Sequence, residues 1–237
     1  MTGPTSTAST VSGSIFDRLR ADILGDTLHA GDPLPSERAL AEELGCNRHA
    51  VREAVKRLQQ AGLVEVAQGG ATRVRDWRAT GGLDLLTQLT GATADGTVDP
   101  NLAVAVLPGV LEMRACIGTD VAGRAAERAD ADTLLALPGH LAAVTACAPD
   151  DLAARETAYA HLWTTLVDGA QNLAYRLAFN SLVAGVGAIG APALALLADE
   201  LRDDDGHVAL VDAVVRRDAP AAEIAARALL TTVPSED

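Results

Sequence analysis

Aromatic side chains are scarce in this 237-residue chain: two Trp, two Tyr and two Phe, 3% of the residues. Cysteine is rarer still, and Cys46, Cys116 and Cys147 show neither metal-ligand nor disulfide spacing. Each sits among apolar helical residues, so all three are expected to be small buried hydrophobes in a reducing compartment. Gly-x-Ser-x-Gly, a phosphate-cradling loop and a Cys/His pairing are all missing, which argues against an enzyme. The carboxylates Asp150, Asp151, Asp203, Asp204 and Asp205 fall beside Pro or Gly and are expected to be solvated helix starts. Residues 1–12 lack a basic n-region and an apolar h-region, so they read as a disordered tail and not as a signal peptide. No charge occurs between Arg176 and Asp199. Gly185, Gly187, Gly190 and Pro192 interrupt that stretch, so two buried helices meeting near Gly190-Ala191-Pro192 are expected there and not a membrane span.

Charge is unevenly placed. Ser14–Arg78 holds ten basic and ten acidic residues, whereas Ala79–Asp237 holds nine and twenty-two and carries the whole net charge of −13. A nucleic-acid-binding protein concentrates its basic residues in the contacting part. The acidic remainder repels DNA and anionic membranes, so its role lies elsewhere.

The balanced part contains Leu34–Gly62, LPSERALAEELGCNRHAVREAVKRLQQAG. Pro35 and Ser36 suit a helix entrance, Ala39, Leu40 and Leu44 recur at helical spacing, and Gly45 stops the helix. Asn47 caps a second helix whose inward stripe is Ala50, Val51, Ala54, Val55 and Leu58. That stripe leaves Arg48, His49, Arg52 and Lys56 pointing outward, as a major-groove reader requires. Leu63–Ala67 and Thr72–Arg75 are two β-prone runs around Gln68-Gly69-Gly70-Ala71, a hairpin wing whose tip can approach a DNA backbone closely. With Ile15, Phe16, Leu19, Ile23 and Leu24 on a preceding helix over Ser14–Thr27, residues 13–76 are expected to form a winged helix-turn-helix. The DNA-binding candidates are Arg38, Asn47, Arg48, His49, Arg52, Gln68 and Gly69.

Beyond it, Trp77–Gly91 reads as a connecting helix with Leu83, Leu85, Leu86 and Leu89 on its apolar side, and Ala92–Pro100 as a loop. Residues 101–234 are expected to be an antiparallel bundle of about six helices, broken at Pro138-Gly139, Pro149-Asp150, Gly169–Asn172, Gly190–Pro192, Asp203–Gly206 and Asp218–Pro220. The fold class is mainly α, with the wing as its small β element.

The segment with Pro35-Ser36-Glu37-Arg38, Arg48, Val51-Arg52-Glu53-Ala54, Leu58, Gly62-Leu63 and a Gly-rich wing resembles the DNA-binding domain of the GntR superfamily of bacterial repressors. RDWRATGGLDLLTQLT further resembles its FadR branch of fatty-acid regulators. The resemblance implies a cytoplasmic homodimer that binds double-stranded DNA at a pseudo-palindromic operator, and a C-terminal bundle that dimerises and binds a small-molecule effector. No membrane partner is implied. Effector domains of the wider subfamily often hold a metal on one Asp and three His. By the resemblance those positions fall here at Tyr159, Trp163, His207 and near Leu229, with His161 out of phase. A lone imidazole does not hold Zn²⁺, so no metal and no other cofactor is expected.

In the metal-free FadR branch the bundle binds long-chain acyl-CoA in an internal cavity. The low side-chain volume around Gly185–Gly190 permits either a cavity or tight helix contact. Arg114 matches an Arg that the branch directs at its ligand, and a salt bridge to Glu112 or Asp120 is the plain alternative. Tyr159, Trp163, Tyr175, Asn180 and His207 complete the effector candidates. The sequence departs from the branch at Gly187, which stands in place of a Tyr, and in having no Trp near its C-terminal end. A regulator sensing a small carboxylate therefore stays open. So does an enzyme or interaction bundle with a vestigial DNA-binding domain, against which the outward Arg38, Arg48 and Arg52 speak.

Overall fold

A computed structural model describes residues 5–66, 71–83, 85–86 and 100–231, in two compact units, Met1–Ala103 and Val104–Asp237. The wing residues Gln68 and Gly69 and residues 92–99 of the loop expected over 92–100 lie outside the described residues; Pro100, expected to end that loop, instead opens a helix.

In the first unit, α1 (Thr5–Leu24) packs against α3 (Arg48–Gln60), and α2 (Glu37–Glu43) against α3. α1 starts well before Ser14, so much of the expected tail is helical. Once Ile15–Leu24 has nucleated the helix by packing, each Ser or Thr added in front gains a hydrogen bond without a new nucleation cost. It ends at Leu24, where Gly25 and Asp26, at φ +56°, turn the chain. Both expected caps form. Ser36 Oγ accepts from the Ala39 N–H at 3.2 Å, and Asn47 Oδ1 from the Ala50 N–H at 2.8 Å. Gly45 (φ +61°) and Gly62 (φ +70°) close the two helices in the left-handed region that favours glycine.

β1 (Val64–Val66) and β2 (Thr72–Val74) pair antiparallel with Val64 opposite Val74. The loop through Asp32-Pro33 joins them: Leu34 N–H donates to Thr72 O at 2.8 Å and Val74 N–H to Asp32 O at 2.9 Å. After the wing, α4 is only Trp77–Thr80, capped by Asp76 and stopped before Gly81-Gly82. The connecting helix expected to Gly91 is thus interrupted by its own glycine pair. Leu83 is exposed and Leu85 is buried.

The second unit is all helix among the described residues. A long helix, α5 (Pro100–Arg128), is followed by α6 (Ala131–Thr145), α7 (Leu152–Gly169), α8 (Leu173–Ile189), α9 (Ala191–Leu196), α10 (Ala198–Arg202), α11 (Asp204–Val215) and α12 (Ala219–Leu230). α6 packs on α7, α11 on α12, and α11 on α6. α5 passes closely over the others at Gly118, where a Cβ would lie 2.4 Å from Leu230 and 3.2 Å from the Trp163 ring. Its C-terminal carbonyls are taken by Arg217, on Ala129 O at 2.8 Å, and by Gln171, on Arg128 O at 2.7 Å. No described helix is long and apolar enough to cross a membrane, and the apolar stretch does break at Gly190 (φ +71°) between α8 and α9.

Three expectations are corrected here. α6 runs through Pro138-Gly139 without a break, because both residues sit on its exposed face while Leu137 and Val144 anchor the other; there a missing N–H and a slight bend are tolerated. The cysteines are not all buried: Cys46 and Cys147 are half-buried and Cys116 is exposed, since α5 turns that face away from the packed helices. Asp151 and Asp203 do cap helices, but Asp204 is more than a solvated helix start. It pairs with Arg155, the largest fully buried side chain of the unit.

Candidate DNA-binding surface and ligand cavity

The DNA-reading candidates follow from how α3 is packed. Ala50, Val51, Ala54, Val55 and Leu58 are buried against α1 and α2, which leaves Arg48, His49, Arg52 and Lys56 exposed on the opposite side. Asn47 is exposed but spent partly on capping, its side-chain oxygen serving the helix. Arg38 and Arg52 are not idle cations. Arg38 pairs with Glu42 at 3.0 Å one turn on, and Arg52 makes a forked contact to Glu37, which raises its pKa through that hydrogen bond and charge. Both arginines are about two-thirds exposed, so the pairs are weak and water-screened, and a phosphate can replace either carboxylate. Arg57, also on α3, is directed elsewhere: its guanidinium lies 4.1 Å from the centre of the Phe16 ring.

The second unit holds a cavity of about 70 Å³. Its wall is mostly apolar, from Ile117 and Val121 of α5, Val167 of α7, Leu182 and Val186 of α8 and Leu230 of α12. Arg114, Tyr159 and Trp163 of the expected effector residues line it. Arg114 is held by Glu200 of α10 through both Nη atoms, one at 2.8 Å. Burial pulls the Arg114 pKa down, but the charge and hydrogen bonds of Glu200 outweigh it and hold the guanidinium charged. The salt-bridge partner is therefore Glu200 and not Glu112 or Asp120, which are nearer in sequence but face other directions on α5.

Tyr159 is 4% and Trp163 6% exposed, with their rings edge to face at 6.1 Å. Burial, then the charge of Glu200, pushes the Tyr159 hydroxyl pKa well up. The hydroxyl lies within electrostatic reach of Glu200, Arg114 and Trp163, yet it makes an aligned hydrogen bond to none, and Trp163 Nε1 also has no partner.

The other three effector candidates lie outside the lining. His207 is fully buried behind Tyr159, ring centres 4.8 Å apart, and burial lowers its pKa against the opposing pull of Glu200, Asp204 and Asp203. Tyr175 spends its hydroxyl on Asp120, whose carboxylate accepts the bond. Asn180 is exposed on the outer side of α8. Sequence reasoning missed Glu200, whose acidic side chain in an Asp-Glu-Leu-Arg run looks like ordinary surface until α10 is packed.

The positions that correspond to a metal site do converge. Tyr159, Trp163 and His207 are in one cluster, and a Cβ at Gly206 would lie 3.0 Å from Leu229. One imidazole, a phenol, an indole and an alkyl side chain do not make a cation site. Among the described residues no group of three His, Cys, Asp or Glu is arranged to hold a metal.

Residues 11–74 match the model of bacterial regulatory proteins of the gntR family, and residues 109–232 match that of the FCD domain. The chain belongs to the GntR family, FCD-domain type. The chain is 35% identical over 224 residues to the HTH-type transcriptional regulator Mce2R of Mycobacterium tuberculosis, spanning 94% of this chain and 90% of the relative. It is 36% identical over 121 residues to a putative L-lactate dehydrogenase operon regulatory protein of Escherichia coli, covering 50% of this chain and 44% of that protein. Among solved structures it is similar to Lar, which controls expression of the Listeria monocytogenes agr system: TM-score 0.54, 13% identity, 97% of this chain and 95% of that one. That likeness is one of fold.

As a GntR-family regulator of this type, the chain has an N-terminal helix-turn-helix that binds DNA and a C-terminal FCD domain that binds a small-molecule effector. Both expectations from sequence hold at that level, as does regulator rather than enzyme.

Proposed function

We propose that this regulator binds a pseudo-palindromic operator as a cytoplasmic homodimer, and that a ligand in the α5–α7–α8 cavity weakens its grip on DNA. The observation that carries the first half is the outward row Arg48, His49 and Arg52 on a capped, well-packed helix. Two-fold symmetry then sets paired half-sites. The cavity supports the second half, because its buried aromatic donors and apolar wall are what a ligand site consists of.

For the ligand, an acyl-CoA-type molecule fits the lining better than a small carboxylate. The wall is apolar, and each CH₂ buried against it contributes about 0.8 kcal/mol, whereas both Nη atoms of Arg114 are already engaged by Glu200. The present space is small, so a long chain requires α8 and α9 to yield at their Gly190 junction. No metal takes part in this reading. Binding favours a state in which the two DNA-reading domains no longer match the half-sites, and the shift equals the ligand's preference for that state.

Gel-shift titration with acyl-CoAs from C8 to C20, the matching free acids, CoA, dicarboxylates and sugar acids tests the reading. Operator affinity should fall with acyl-CoA, more steeply as the chain lengthens. A response to dicarboxylates or sugar acids with none to acyl-CoA refutes it in favour of a carboxylate sensor. Elemental analysis of untagged protein should show no stoichiometric Zn or Ni.

A further inference from the structure

We infer that the cavity admits the uncharged part of its ligand, an apolar group bearing one hydrogen-bond acceptor such as an ester, thioester or amide carbonyl, and turns free carboxylates away. The inference rests on reading this cavity as the effector site.

The charges facing the cavity decide it. Arg114 is the cation of the lining, and both its Nη atoms are taken by the two oxygens of Glu200. Glu200 is itself 5% exposed, so expelling it would strand a buried carboxylate. A second acid, Glu156, lines the same wall. His207, behind Tyr159, is fully buried with neither ring nitrogen hydrogen-bonded, and adds no charge at neutral pH. An entering carboxylate would lose its water and meet one cation already neutralised and one further acid.

What the wall does offer is donors. Tyr159 Oη–H and Trp163 Nε1–H are buried and belong to the lining; the hydroxyl sits close to Glu200 and to the indole, but neither donor makes a well-aligned bond. A buried donor left without an acceptor is costly, and a carbonyl oxygen, with two lone pairs, can serve both. The rest of the surface is alkyl or aromatic, so the remainder of the bound group is apolar.

Trp163 reports on the cavity once Trp77→Phe has removed the second of the chain's two tryptophans. In that background, methyl hexanoate, hexanamide and hexanoate are titrated at pH 7.5 and Trp163 emission is followed. The ester and amide should bind at least about tenfold more tightly than hexanoate, a difference of about 1.4 kcal/mol. Glu200→Gln frees Arg114 and should tighten hexanoate by at least about tenfold while changing the ester little. Should that substitution unfold the domain, Arg114→Met with Glu200→Leu keeps the wall uncharged and must retain the preference for ester over acid. Hexanoate binding as tightly as the ester to the unmodified cavity overturns the inference but leaves the site where it is. If none of the three probes perturbs Trp163 in any variant, the cavity is not the ligand site, and the inference falls together with that reading.

Discussion

Asp204 and Arg155 make a test of what a half-exposed carboxylate contributes to a buried cation. Arg155 is 1% exposed; its Nη1 donates to Leu201 O at 2.6 Å and Asp204 Oδ1 at 2.8 Å, and its Nη2 to Cys147 O and Asp204 Oδ2 at 3.3 Å. Asp204 is 45% exposed. Asp204→Ala leaves the guanidinium buried on two carbonyls with Nε also unpaired, and stranding a buried charge costs about 3–5 kcal/mol. Water at the Asp204 side screens the pair, so the lower figure of about 3 kcal/mol applies. Arg155→Met removes the charge itself. Asp204 then turns to solvent, and the loss is the partner of two backbone carbonyls, about 1–2 kcal/mol in all with the side-chain volume kept. The exposed residue should therefore matter more than the buried one, by about 1.4 kcal/mol or a factor of ten in the unfolding equilibrium. Urea unfolding followed by Trp163 emission in the Trp77→Phe background, compared at constant m-value, measures both. Asp204→Asn, which keeps an oxygen acceptor, should fall between. If Arg155→Met is as destabilising as Asp204→Ala or more so, the stranded-charge reasoning is wrong.

The remaining predictions concern DNA and pH. Arg48→Ala should lose about 1–3 kcal/mol of operator affinity and relax specificity at one base, whereas Arg38→Ala should weaken all sequences alike and flatten the salt dependence; isotherms over a salt series that leave both unchanged would remove them from the interface. Gly69→Val should impair DNA binding while the protein still folds and assembles, and an unaltered footprint would make the wing merely structural. His207 has a folded pKa below its unfolded value of about 6.5, so the unfolded chain takes up the proton first. Stability should be full above that value and decline as pH falls through it towards the folded pKa, with carboxylates adding their losses only at lower pH. His207→Phe should flatten that decline in denaturation midpoints between pH 7 and 5, and an unchanged slope would rule the residue out.

Local chemistry made the first unit legible. A Pro-Ser entrance, an Asn cap, two glycines at positive φ and a 3.6-residue apolar stripe are signals within single turns, and all of them act in the structure as they read. The second unit was legible as helices but less so in its details. Pro138 reads as a stop because a proline inside a helix forfeits a hydrogen bond, and nothing in the sequence says that it lies on the solvent side of α6. The same holds for the site. Arg114 was identifiable as an isolated cation among apolar residues, but its partner lies 86 residues away on a five-residue helix. Tyr159 and Trp163 were found because aromatics are scarce; Tyr175, chosen on the same ground, is on the same side of α8 as Phe179 and Leu182 but lies nearer the helix start and spends its hydroxyl on Asp120, and Asn180 is exposed on the outer side. Side-chain direction in a bundle is set by packing between distant helices, and sequence spacing carries little of it.

The segment through Pro33 has a consequence for solubility. β2 is covered on one side by β1 and on the other by residues 31–34, with Pro33 bridged to Arg73 and the Arg73 guanidinium on Gly31 O at 2.8 Å. The outermost strand position on that side is thus held by a residue that has no N–H to offer. A stray β-segment from another chain, in a crowded cell or during refolding at high concentration, finds an incomplete ladder there and gains little by docking. The strand pair can in this way stay short without that edge seeding aggregates.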